Sequence, residues 1–90
     1  MKNYEPYSLE SVLKERTQQD KKWGKQNHDP FTYLTILMEE VGELSQAALH
    51  NKFGGPNGSL DHLRVEAVQT AAVALAIVEC LDRGKWTWEK

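Results

Sequence analysis

Three glutamates, Glu39, Glu40 and Glu43, sit in an otherwise apolar stretch of this 90-residue chain, and a fourth, Glu66, lies between Val65 and Ala67. On a helix, Glu39 and Glu43 are one turn apart and Glu40 and Glu43 are three positions apart, so all three can share one edge. None has a cation four positions on: Glu39 is followed there by Glu43, Glu40 by Leu44 and Glu43 by Ala47. Like charges stacked in this way repel unless a cation lies between them. Oxygen ligands without paired His or Cys suit a hard divalent ion, Mg2+ or Mn2+, better than zinc. Gln69 and Thr70, three and four positions beyond Glu66, offer neutral oxygens for metal or water. The competing reading is a solvated face of helix glutamates, against which the missing basic partners weigh.

Two further groups suit a phosphorylated, aromatic ligand. Lys21, Lys22 and Lys25 form the densest positive group and can hold distal phosphates; equally, lysines ending a helix favour its dipole while facing solvent. Arg64 is a second phosphate candidate, with a salt bridge to Asp61 as the alternative. Trp23 can stack on a base whose edge Asn27 or His28 reads; it can also seal the junction between two helices, with His28 a turn residue.

These residues need a frame. Residues 1–7 show no period and are expected to form a tether, followed by a modest amphipathic helix from Leu9 to Lys22, with Ser8 as its cap and Gly24 marking its end. In this helix Arg16 and Thr17 fall on the same side as Leu9, Val12 and Leu13. Asp29 followed by Pro30 predicts the start of a second helix running to about Lys52. Leu34, Leu37, Met38, Val41, Leu44, Ala48 and Leu49 give it a continuous apolar stripe, and the run Gly54 to Gly58 stops it. Ser59 or Asp61 caps a third helix reaching about Arg83, with Gly84 at its C-terminal end. Because alanines and valines cover most of its circumference, this helix is expected to sit centrally and to meet a second subunit. The tail carries Trp86 and Trp88, which can pack onto the bundle or a neighbouring subunit.

The expected architecture is therefore all-α: one domain over residues 1–90, with a three-helix core over about 9–83, completed by oligomerisation because a chain this short has little core of its own. With 11 basic and 13 acidic side chains interspersed, no broad basic surface exists for a nucleic acid polymer. The longest apolar run, Ala71 to Val78, is far below the roughly 20 residues of a membrane span. A single cysteine, Cys80, and a start without signal-peptide character lead to the expectation of a reducing, cytoplasmic location.

The segment Glu39-Glu40-Val41-Gly42-Glu43-Leu44, followed after a loop by Glu66, resembles the paired acidic motif of the MazG-like all-alpha nucleoside triphosphate pyrophosphohydrolases. The upstream stretch Lys22-Trp23-Gly24-Lys25-Gln26 is similar to small members of that family, and the likeness covers about residues 12–83. The resemblance implies a helical dimer or dimer of dimers that uses Mg2+ to split a nucleoside triphosphate into a monophosphate and pyrophosphate. It also implies that Glu39, Glu40, Glu43 and Glu66 are metal ligands or their support, with Glu40 or Glu43 orienting the attacking water. One departure stands out: three residues after Glu66 the family commonly has Asp, whereas this chain has Gln69, which offers a carbonyl oxygen but no charge and no base. A non-catalytic helical oligomer that binds metal or nucleotide, or a partner-interaction module, is the alternative that Gln69 keeps open.

Overall fold

In the computed structural model, described here for residues 5–88, the chain forms three α-helices: α1 (Pro6–Trp23), α2 (Pro30–Phe53) and α3 (Leu60–Asp82). There is no strand among the described residues. The first helix begins earlier than Ser8, because Pro6 at its first turn has a φ already suited to a helix and no amide hydrogen to leave unpaired. Glu5 stands at the cap without a side-chain bond, and the Ser11 hydroxyl donates to the carbonyl of Tyr7 within the helix. The expected tether thus shrinks; its residues 1–4 lie outside the described residues.

Asp29 caps α2 through both oxygens: one accepts from the Thr32 amide at 3.0 Å, the other from the Thr32 hydroxyl at 2.9 Å. Ser59, rather than Asp61, caps α3 by accepting from the His62 amide at 3.0 Å. The end of α3 is a Schellman motif around Gly84 at φ 71°, in which the Lys85 amide donates to Cys80 O and the Gly84 amide to Leu81 O.

The third helix is central, as expected. Both α1 and α2 pack on it, whereas the α1 and α2 backbones stay apart. Positions Glu66, Gln69, Val73, Ala76 and Cys80, spaced three and four apart, form its inward edge; Glu66, Val73 and Cys80 are buried and the other two half-buried. The opposite side of α3 leaves Ala67, Ala71, Ala74, Val78 and Leu81 exposed. The apolar stripe of α2 is likewise only partly used within the chain. Leu37, Val41 and Leu44 are half-buried towards α3, while Phe31, Leu34, Met38, Leu49 and Phe53 face away from it and are exposed. The tail returns to the start of α2, where Trp86 stacks on Tyr33 at 5.9 Å and Trp88 meets Phe31 edge to face at 4.8 Å. Among the described residues no helix is long and apolar enough to cross a membrane.

Candidate metal centre and adjoining cavity

Antiparallel packing of α2 on α3 across the glycine-rich turn brings Glu40 and Glu43 to Glu66, with one carboxylate oxygen of each within 4.8 Å of the others. The turn is held tightly: the Asn51 side chain donates to Gly58 O at 2.8 Å, and the Asn57 amide reaches His50 Nδ1 at 3.3 Å. A Cβ on Gly58 would lie 2.5 Å from the backbone carbonyl of His50, so only glycine lets the chain pass so close to the end of α2.

Glu66 is buried, Glu40 half-buried and Glu43 exposed. Buried Glu40 Oε1 and Glu66 Oε1 have no hydrogen-bond partner. The other oxygen of Glu66 lies 3.4 Å from His62 Nε2, one turn earlier on α3. Burial first, and then the nearby Glu43 and Glu66 charges, raise the Glu40 pKa above the ordinary glutamate value; smaller contributions come from Glu15 and Glu39. Burial likewise raises Glu66, helped by the charge of Glu43, with His62 pulling the other way. The donor set fits a hard divalent ion: three carboxylates, all oxygen, with two buried oxygens that have no donor.

The remaining sequence candidates divide. Glu39 is exposed on the outer side of α2, beside a shallow groove with Phe31, Leu34 and Met38, and is not part of the cluster. Gln69 is half-buried one turn beyond Glu66, whereas the Thr70 hydroxyl is committed to Glu66 O at 2.8 Å. Lys21, Lys22 and Lys25 are exposed at the end of α1 and beyond, with the Lys22 ammonium 4.6 Å over the Trp23 ring. Arg64 donates to Ser11 Oγ at 2.9 Å and lies over the Tyr7 ring. Among the described residues, none of these cations forms an ion pair with the three glutamates.

Where α1 and α2 diverge, a cavity of about 420 Å³ opens above α3, floored by Gln69, Val73 and Ala76. Glu40 belongs to both the cavity wall and the carboxylate cluster. Trp23 and His28 line the cavity, as does buried Tyr33, whose hydroxyl donates to Gln26 O at 2.7 Å. Asn27 is exposed and does not line it; its side-chain oxygen accepts from Arg83 at 2.7 Å. Arg83 also donates to Gln26 O, so it ties the α1–α2 loop to the end of α3.

Sequence reasoning singled out neither Arg16 nor His62 as a site residue. Arg16 is almost fully buried in the cavity wall, donating to Glu79 at 2.7 and 3.2 Å, to Asp20 at 3.0 Å and to Gln19 at 3.0 Å. The available signal was its place on the apolar side of α1, where a charge needs a partner to be tolerated. For His62 the signal was its spacing of four from Glu66. The chain matches no protein-family model, and no curated protein or solved structure is significantly similar to it.

Proposed function

We propose that this chain is a metal-dependent nucleoside triphosphate pyrophosphohydrolase that cleaves between the α and β phosphates, releasing a nucleoside monophosphate and pyrophosphate. The observation carrying this reading is the double membership of Glu40. A carboxylate cluster suited to a divalent ion, and through it to a polyphosphate, shares that residue with a cavity whose size is in the range of small-ligand sites, about 300–1,000 Å³. A ligand with an anionic end and an aromatic end, such as a nucleotide, fits such a junction.

Glu40, Glu43 and Glu66 would hold Mg2+ or Mn2+, with Gln69 adding a neutral oxygen. When bound, the ion supplies charge neutralisation for the phosphates and acidification of water. Glu43, the exposed member, and Glu40 are the groups that orient the attacking water and take its proton.

We further propose that the working unit is a homo-oligomer. Two helix faces, Phe31, Leu34, Met38, Leu49 and Phe53 on α2 and Ala67, Ala71, Ala74, Val78 and Leu81 on α3, are apolar and uncovered in the single chain. The spacing of four and three on α3 and its small side chains suit close helix packing by a second copy.

The test is pyrophosphate release from a panel of ribo- and deoxynucleoside triphosphates with Mg2+ or Mn2+, for the unaltered protein and for Glu43→Ala. Release that requires both metal and Glu43 is the expected result. A folded protein that binds Mn2+ and releases nothing across the panel would overturn the enzyme reading in favour of a binding module, with Gln69 as the reason.

A further inference from the structure

We infer that His62 is a fourth, nitrogen ligand of the ion held by Glu40, Glu43 and Glu66, and that it turns the site from Mg2+ towards a first-row transition ion such as Mn2+; this rests on the metal-centre reading of the cluster. The imidazole lies four positions before Glu66 on α3, so the two side chains stand one turn apart on the same face. Ser59 fixes the backbone of that first turn by accepting from the His62 amide at 3.0 Å. The ring Nε2 is 3.4 Å from Glu66 Oε2, beyond the roughly 2.7–3.2 Å of a good N–H···O bond. Two donors bound at about 2.1 Å to one ion, with about 90–110° between them, stand roughly 3.0–3.4 Å apart. The observed separation is thus that of neighbouring ligands on a shared ion.

Glu66 itself points to an ion. Its side chain is only 10% exposed, and its Oε1 has no hydrogen-bond partner among the described residues. A carboxylate oxygen buried without a donor is costly unless a cation meets it. His62 stands at the rim of the cluster, outside the three residues whose oxygens lie mutually within 4.8 Å. Those oxygens must themselves draw in to about 4.2 Å or less around one ion, and the ring, with 37% of its side chain exposed, has room to turn inward with them. Mg2+ takes oxygen ligands and gives up its waters reluctantly, whereas imidazole nitrogen adds far more strongly to a first-row transition ion. The site therefore offers Mn2+ four protein donors and Mg2+ three.

The experiment is electron spin echo envelope modulation of Mn2+ bound to the full chain, alongside calorimetric titration with Mn2+ and with Mg2+, for the unaltered protein and for His62→Gln. Nitrogen modulation is expected in the unaltered protein and should vanish in the variant. Carboxylates alone also hold Mn2+ somewhat more tightly than Mg2+, so the deciding quantity is the change. In His62→Gln the Mn2+ affinity should fall at least about tenfold and the Mg2+ affinity less than about threefold. The other two histidines are held elsewhere, His28 by Gln26 and His50 by the Asn57 amide, so the echo signal of the unaltered protein is decisive even if the variant fails to fold. Bound Mn2+ without nitrogen modulation, or an unchanged preference in the folded variant, overturns the inference alone and leaves the carboxylate site standing. No saturable binding of either ion overturns it together with the metal-dependent reading. Nitrogen-ligated Mn2+ with no pyrophosphate release overturns the hydrolase reading alone.

Discussion

Arg16 on α1 and Glu79 on α3, 63 positions apart, are joined by two hydrogen bonds of 2.7 and 3.2 Å, and they clamp α1 against the central helix. Burial by itself would lower the Arg16 pKa, but the bonds to Glu79 and Asp20 outweigh it and leave the guanidinium raised. Removing Glu79 leaves a buried charge with only Asp20 and Gln19 for company. Glu79→Ala should therefore cost about 2 kcal/mol, or roughly 10 °C in Tm for a domain of this size. The double variant Arg16→Met/Glu79→Leu should lose less than the single one, because no charge is stranded. Thermal unfolding of the three proteins measures this, and a double variant less stable than the single would contradict it.

Raised Glu40 and Glu66 carboxyls give the metal-free protein a definite pH dependence. Unfolded, these groups titrate near 4.5; folded, they hold their protons to higher pH. The folded state therefore binds more protons in the window between, and stability falls as pH rises from about 4.5 through the raised values before levelling off. Glu66→Gln removes part of this loss, since its amide can donate to Glu43. Its Tm should exceed that of the unaltered protein at pH 7 by a few degrees, with the gap closing near pH 4. Saturating Mn2+ should reverse the order at pH 7.

The separation of Glu39 from the cluster predicts unequal effects from neighbouring substitutions. By calorimetric titration with Mn2+, Glu40→Gln should weaken binding by at least about tenfold. Glu39→Gln should stay within about twofold, because its carboxylate lies on the outer side of α2 and adds only a distant charge.

Gly58 sets the register of α2 against α3. A methyl group there collides with backbone, not with a flexible side-chain end, so Gly58→Ala should cost about 1–3 kcal/mol. Because the same turn aligns Glu43 with Glu66, Mn2+ affinity should fall along with stability. An alanine variant with unchanged Tm and affinity would show that the turn has slack.

Charge on the outer face of α3 tests assembly. Ala74→Glu touches nothing inside the chain, since Ala74 is exposed. It should shift the protein towards monomer in light scattering at micromolar concentration and leave the helical circular dichroism of the monomer intact.

Much of this was legible in the order of residues because it depends on near neighbours. Caps at Asp29 and Ser59, the stop at Gly54 to Gly58 and the three helices follow from local backbone preferences, which a sequence states directly. The start of α1 was misplaced because Ser8 competed with Pro6, and the proline's fixed φ prevailed. Spacing alone placed Glu39, Glu40 and Glu43 on one edge, but a helix edge about 100° wide cannot say which of them meets a facing helix. That was decided by the angle at which α2 lies on α3, which brought Glu40 and Glu43 to Glu66 and left Glu39 on the outer side. The Arg16–Glu79 clamp, the tie from Arg83 to Gln26 and Asn27, and the cavity left where α1 and α2 diverge are likewise products of packing. Each joins residues more than 50 positions apart or exists as space between elements, and no local preference encodes either.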